Sequence, residues 1–209
     1  MRILFAPTEV AGQMQLLVEA LRRRGQMATA VCYEQPSSMH RINDVHTGFD
    51  GLQPRLWRAF RQSLFAAWAV TNYDIFHFFF GNSLLPAGLD LPWLKRLGKK
   101  VLVHFHGSDI RNSRLFQYEE NIVLGKPATS PPIQKPWQRR SLERWRRYAD
   151  VMLVSTPDLL RIAPEAKLVQ QAIDLSQWEY QPEPPDSSPH EIRIVHAPTD
   201  RNKKGTNGL

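Results

Sequence analysis

The stretch KKVLVHFHGSDIR, residues 99–111, passes directly from an apolar run into two histidines, an aspartate and an arginine. The run 101–103 is short and rich in valine, which predicts a buried strand. Gly107 then marks the place where that strand ends. Polar side chains in this position are typical of α/β sheets, because ligands of such sheets bind outside the carboxyl ends of the strands.

Strands and helices alternate on both sides of this stretch. The apolar patterns predict strands at 2–6, 27–33, 73–80, 99–106, 151–155 and 166–173. They predict helices at 13–24, 54–70, 91–98, 137–148 and 156–164, the last with Thr156 as N-cap. Each crossover helix carries the chain back across the sheet, so this alternation predicts an α/β, Rossmann-like parallel sheet with helices on both faces.

Composition limits the partners and the compartment. Twenty-seven lysines and arginines against twenty aspartates and glutamates give a formal net charge of +7, which favours an anionic partner such as a phosphorylated ligand or an acidic membrane face. Nucleic acid is not expected, because no helix-turn-helix, zinc-finger or RNP-like signature is present. The single cysteine, Cys32, excludes an internal disulfide, and no segment is typical of a signal peptide or a membrane span. We therefore expect a cytoplasmic protein, with peripheral contact with the inner face of the membrane as an alternative.

A change in amino-acid composition near residue 180 predicts a domain border. The stretch YQPEPPDSSPH, residues 180–190, has four prolines and almost no apolar side chains, which is typical of a linker. A new apolar stretch, EIRIVHAP, follows it. We expect a Rossmann-like domain over 1–178, a proline-rich linker over 179–190, and the first strand and turn of an incomplete second domain over 191–209.

Four stretches occur in an order that resembles a known enzyme family: HFHGSDIR, ADVMLVSTPDLL, QAIDLSQWEYQP and IRIVHAPTDRNKKG. In this order they resemble retaining GT-B glycosyltransferases of the large family that includes sucrose and glycogen synthases. The resemblance covers nearly the whole chain, and it implies two Rossmann-like domains that face each other across a cleft. The first domain then holds a glycan or lipid-linked acceptor, and the second holds most of the nucleotide-sugar donor.

The resemblance also implies an activity. The complete protein would transfer a sugar from the nucleotide-sugar co-substrate to the acceptor with retention of configuration, without a further cofactor, whereas the 209 residues alone would be inactive. The alternative is a non-catalytic, truncated binding module for an acidic ligand or an anionic membrane surface. The arginine-rich helix 137–148 could contact such a surface, but the default expectation is a solvated face with its aromatic side chains packed inward. The helix 54–70 is expected to pack Phe60 and Leu64 into the core.

The histidine loop contains the predicted catalytic residue. His104 and His106 are two apart on a strand and therefore share a face, but no third ligand lies nearby, so no metal site is expected. His106 precedes Gly107 at the carboxyl end of the strand, where ligands bind, and it matches the active-site histidine of the resembled family. We predict that His106 contacts the donor sugar, and that Gly107, Asp109 and Arg111 organise the loop.

Three further residues are predicted to bind the donor. Gly12 precedes the first long helix and could let the helix amides approach a phosphate, although an ordinary turn is the alternative. Lys204 resembles the donor-phosphate lysine of the family. Where the family has an arginine six residues earlier, this chain has Pro198. Either Arg201 fills that role from another position, or the donor site is built differently.

Overall fold

The structure is a computed structural model that describes residues 1–33, 44, 45, 47, 49, 54–112, 122, 125 and 134–177. Within these residues six strands form one sheet: β1 (Arg2–Ala6), β2 (Met27–Ala30), β3 (Ile75–Phe79), β4 (Lys100–Phe105), β5 (Val151–Val154) and β6 (Lys167–Leu168). The strand order is β2-β1-β3-β4-β5-β6, and every neighbouring pair is parallel. The predicted α/β, Rossmann-like fold is therefore confirmed.

The helices cover both faces of this sheet. The described α-helices are α1 (Gln13–Arg23), α2 (Arg55–Asn72), α3 (Leu91–Arg96) and α4 (Pro136–Tyr148). Short 3-10 helices follow at Pro86–Gly88, Pro157–Arg161 and Leu175–Gln177. Helices α2, α3 and α4 contribute to the larger of two apolar cores, and α1 contributes to the smaller one.

Alternation along the strands explains why there are two cores. On β3, Phe76 and Phe78 belong to the larger core, whereas Phe79 belongs to the smaller one with Met14 of α1. Successive side chains of a strand point to opposite faces, so a strand between two helical layers is apolar on both sides. Trp145 of α4 is 1% exposed and anchors the larger core against Phe78.

The order of the strands places a crevice beside β1. From β1 the chain moves to β2 on one side, and β3 then lies on the other side of β1. The connections that leave β1 and β3 therefore diverge, and ligands of open α/β sheets bind at such a switch point. The carboxyl ends of β1 and β3 are therefore one candidate location for a ligand-binding site, and the loop after β4 is another.

Helix α2 packs differently from the prediction. Its buried residues are Gln62, Ala66 and Ala69, whereas Phe60 and Leu64 are 52% and 56% exposed. The prediction that Phe60 and Leu64 pack into the core is therefore wrong. The small side chains of Ala66 and Ala69 pack against the larger core, and the large apolar side chains lie on the outer face.

The chain divides into two compact units, Met1–Ile173 and Asp174–Leu209. In the second unit the described residues contain the Leu175–Gln177 turn, where the Ser176 hydroxyl donates to Asp174 at 2.7 Å. The predicted linker 179–190 and the predicted strand and turn over 191–209 lie outside the described residues.

Candidate functional site

The loop after β4 is organised by the buried carboxylate of Asp109. That carboxylate accepts hydrogen bonds from the backbone amides of His106 at 3.0 Å, Gly107 at 2.8 Å and Ile110 at 3.1 Å. Burial raises the pKa of Asp109, and the bonds from these amides act in the opposite direction. The chain thus leaves β4 in a tight turn whose donors all converge on one side chain.

A salt bridge joins this loop to the segment after β5. Arg111 Nη1 lies 2.6 Å from Asp158 Oδ2, in the 3-10 helix that follows β5. The guanidinium also passes over Gly107, since a Cβ at that glycine would lie 2.9 Å from Arg111 Nη2. Gly107 has a φ of 147°, so both its backbone conformation and its close contact require glycine.

Three histidines lie side by side on one face of the sheet. The ring centroids of His104 and His106 are 4.3 Å apart, as expected for residues on the same face of a strand, and His77 lies 5.9 Å from His104. Phe79 stacks on His106 with centroids 5.3 Å apart, and its ring lies 4.8 Å from that of His77. The histidines therefore form part of an aromatic cluster.

Burial keeps all three histidines neutral. It lowers the pKa of His77 and His106 to about 3, with the neighbouring histidines adding to the effect. It lowers the pKa of His104 to about 4, although an interaction with the backbone of Val169 acts in the opposite direction. At neutral pH each ring can therefore donate one hydrogen bond and accept another, but it carries no charge.

Several buried polar atoms at this edge lack a hydrogen-bond partner in the described part of the chain. They include both ring nitrogens of His106, and Ser155 Oγ and Thr156 Oγ1 directly after β5. Ser155 lies beside His106, because its amide donates to the carbonyl of Phe105 at 3.0 Å. Thr156 is the N-cap residue of the following 3-10 helix, as predicted, but its hydroxyl forms no cap bond. Unpaired buried polar groups are rare and need an explanation, such as a ligand.

The helix terminus at Gly12 is already occupied by a carboxylate of the chain itself. Gly12 precedes α1 with a φ of 78°. The amides of Met14 and Gln15 in the first turn donate to the two carboxylate oxygens of Glu9, each at 3.1 Å. A phosphate could bind these amides only by displacing Glu9. The role of Gly12 in donor binding stays a prediction.

Arg201 and Lys204 lie outside the described residues. Among the residues that are described, no group of three or more histidine, cysteine, aspartate or glutamate side chains could hold a metal ion. In the same part of the chain no helix has the length and apolar character needed to cross a bilayer.

A cavity of about 410 Å³ opens at the switch point between β1 and β3. Thr8 after β1 and Asn82 after β3 line it, and two half-buried arginines reach it from the helices, Arg58 of α2 and Arg144 of α4. Among the described residues that line it, none is acidic. The sequence patterns did not predict this pair, because arginines at helical spacing usually form a solvated face.

A strained turn after β3 lines the cavity. Phe80 and Gly81 both have left-handed backbone conformations, with φ values of 57° and 63°. Trp145 Nε1 donates to the carbonyl of Gly81 at 3.0 Å, and the Tyr33 hydroxyl donates to the carbonyl of Leu84 at 2.9 Å. A left-handed conformation is costly for phenylalanine and occurs mostly where function or packing requires it.

Comparison with known proteins adds no family to these observations. No family model matches the chain, and no curated protein is significantly similar to it in sequence. The grounds for a functional proposal are therefore the resemblance of the sequence motifs, the histidine loop after β4 and the cavity between β1 and β3.

Proposed function

We propose that the chain is the acceptor-side domain of a retaining, nucleotide-sugar-dependent GT-B glycosyltransferase. In this proposal the complete protein transfers the sugar in the cytoplasm, or at the inner face of the membrane, to a glycan or lipid-linked acceptor. His106 contacts the donor sugar near its anomeric carbon, and the 209 residues do not turn over a donor by themselves. The confirmed Rossmann-like fold is compatible with this function but is shared by many others.

The observation that supports the proposal most directly is the state of His106. Its ring lies at the carboxyl end of a central strand, and both of its nitrogens are buried without a partner among the described residues. Polar groups left unpaired in a well-packed fold are concentrated at binding sites. The proposal supplies the missing partner, because a hydroxyl of a bound sugar can pair with a ring nitrogen.

The pKa of His106 sets the chemistry that it can perform. A neutral imidazole with a pKa of about 3 is a poor general acid at pH 7 but a good hydrogen-bond partner for a hydroxyl group. Departure of a nucleoside diphosphate builds positive charge at the anomeric carbon, and a neutral side chain does not oppose that charge. The role we propose for His106 is therefore positioning through a hydrogen bond, without proton transfer.

The test is release of nucleoside diphosphate by the product of the complete reading frame that contains residues 1–209, with a panel of nucleotide sugars and oligosaccharide or lipid-linked acceptors. His106→Ala should lower kcat by about a hundredfold, the upper range for lost positioning, while circular dichroism shows that the fold stays intact. Ser108→Ala, an exposed position in the same loop, is the matched control and should leave kcat unchanged. Near-normal turnover of His106→Ala would remove this assignment, and no release from any donor would reject the transferase proposal.

A second candidate is a non-catalytic module for an acidic ligand or an anionic membrane surface, and the outer face of α2 favours its membrane form. Five large apolar side chains on that face are between 43% and 87% exposed: Leu56, Trp57, Phe60, Leu64 and Trp68. Interfacial helices combine such a face with basic residues. Vesicles of phosphatidylserine and phosphatidylcholine should then co-sediment the chain, and Phe60→Ser should weaken the binding. Equal recovery with pure phosphatidylcholine vesicles would contradict this candidate.

A further inference from the structure

We infer that the cavity at the switch point between β1 and β3 binds a small anionic molecule, whose phosphate or carboxylate group lies between Arg58 and Arg144. The inference stands apart from the transferase proposal, because binding an anion requires neither a donor nor His106. It concerns the helix α2 terminus, helix α4 and the turn after β3.

The charge of the cavity is not neutralised by the described part of the chain. Neither Arg58 nor Arg144 forms an ion pair there, and none of the described residues that line the cavity is acidic. Arg111, which is half-buried as well, is paired with Asp158. Since burying a charge is costly unless it is paired, two half-buried arginines in one cavity indicate a partner from outside.

The position of Arg58 strengthens this positive potential. It lies in the first turn of α2, a turn that contains no acidic residue. The unpaired amides at a helix N-terminus carry partial positive charge, so a cation there is unfavourable unless an anion is close. An oxyanion in the cavity would be attracted by both the guanidinium and the helix terminus.

Arg144 is held at the cavity by its packing. A Cβ at Gly88 would lie 2.6 Å from Cδ of Arg144 and 3.0 Å from Cδ1 of Leu91. The stem of Arg144 therefore lies directly over Gly88, and the absence of a side chain at that glycine makes the space for it. An arginine with a fixed stem loses less conformational freedom when it binds a planar or tetrahedral oxyanion.

The size and remaining lining of the cavity indicate a molecule larger than an ion. About 410 Å³ lies within the range of small-molecule sites and far above the volume of one water molecule. Asn82 donates to the Thr8 hydroxyl at 3.1 Å, which leaves the amide oxygen of Asn82 and the hydroxyl proton of Thr8 for a ligand. These groups suit the hydroxyls of a polyol that carries the anionic group.

The experiment titrates the 209-residue chain with glucose 6-phosphate, glucuronate, inorganic phosphate and glucose, and follows backbone amide shifts by NMR. We expect saturable shifts at the turn 80–88 with at least one of the two anionic sugars, and about tenfold weaker or no binding of glucose. Tighter binding of glucose 6-phosphate than of glucuronate would identify phosphate as the preferred group, and the reverse order would identify carboxylate.

Matched variants connect the binding to the two arginines. Arg58→Gln and Arg144→Gln should each weaken binding by about ten- to a hundredfold. Arg55→Gln on α2 and Arg140→Gln on α4 remove the same charge from exposed positions outside the cavity, and should change the affinity less than about threefold at physiological salt.

A third kind of variant moves Arg144 without changing any charge. Gly88→Ala should weaken binding, because the new methyl group displaces the arginine stem, whereas Gly98→Ala has a similar φ with nothing within 4 Å and should not. His106→Ala should keep the anion affinity, so that failure of the transferase proposal would leave this inference standing. The inference would be overturned if neither anionic sugar bound at millimolar concentration. It would also be overturned if the cavity variants and their controls lost affinity equally.

Discussion

The histidine cluster should make the fold sensitive to mild acid. His77, His104 and His106 have pKa values of about 3, 4 and 3 in the folded chain. In the unfolded chain a histidine titrates near pH 6.5. Below about pH 6.5 the unfolded state therefore binds more protons than the folded state, so the stabilising contribution of the neutral rings is present above that pH and is lost as the pH falls toward 4.

The size of the effect follows from the two sets of pKa values. As the pH falls from about 6 to about 4, the free energy of unfolding decreases by about 1.4 kcal/mol per pH unit for each buried histidine. From pH 7 to pH 5 this amounts to about 2 kcal/mol per ring, or about 6 kcal/mol for three rings that titrate independently. Small domains have a total stability of about 5–15 kcal/mol, so the loss would be easy to measure.

A single substitution isolates the effect. In His77→Phe the new ring lies between Phe5 and Phe79, each with its centroid 4.8 Å from that of His77, and an unpaired buried nitrogen is removed. The loss between pH 7 and pH 5 should fall from about 6 to about 4 kcal/mol, because one titrating group is gone. Urea unfolding at both pH values measures this difference.

Comparing the loss of stability in the variant with that in the parent also cancels the contribution of the carboxyl groups, because both proteins contain them. Asp90 and Asp109 have raised pKa values and act in the opposite direction, since their folded forms bind protons first. Phe79→Leu is the control, because it disturbs the same cluster without a titrating group and should lower stability equally at both pH values. Parallel pH profiles for the parent and His77→Phe would refute the reasoning.

Three further substitutions test local parts of the edge, each by urea unfolding at pH 7. Asp109→Ala should cost about 3 kcal/mol, because three backbone amides lose one buried acceptor; a cost below about 1 kcal/mol would contradict its role in the loop. Glu9→Ala should cost about 1 kcal/mol, as the loss of a helix cap does, and no change would show that water replaces it. Gly88→Ala should cost at least about 1 kcal/mol more than Gly98→Ala, because both are strained but only the first meets Arg144; equal costs would contradict that contact.

Much of the fold follows from local patterns, whereas the choice of buried face does not. The strand at Val101–Val103 and the alternation around it were sufficient to predict a parallel sheet with helices on both faces, since each strand is apolar on both sides. Helix α2, however, offers one stripe of large apolar side chains and one of small ones. Which stripe is buried is decided by the tertiary packing, and here Ala66 and Ala69 face the core while Phe60 is exposed.

Some residues of the candidate site could be predicted from a local sequence pattern, whereas others come together only in the tertiary structure. His106, Asp109 and Arg111 lie within a few residues of one strand end, so a local pattern was enough to select them, although their function stays a prediction. Arg58 and Arg144 lie on two different helices and meet only because the sheet order brings both helices to one crevice. No pattern in either segment distinguishes these arginines from their solvated neighbours, so this pairing had to come from the tertiary structure.

The N-termini of α1 and α2 both carry partial positive charge, but within the described part of the chain only one of them is neutralised by an acidic side chain. At α1 the amides of Met14 and Gln15 are capped by Glu9, a carboxylate from the chain itself. At α2 the first turn has no acidic residue, and Arg58 adds a full charge that no described acid neutralises. An anion that approaches the edge must compete with an intramolecular carboxylate at α1. At the cavity it meets two half-buried arginines, and no described lining residue is an acidic competitor. Because the intramolecular carboxylate is always present at high effective concentration, anions should bind at the crevice between β1 and β3 in preference to the helix terminus at Gly12.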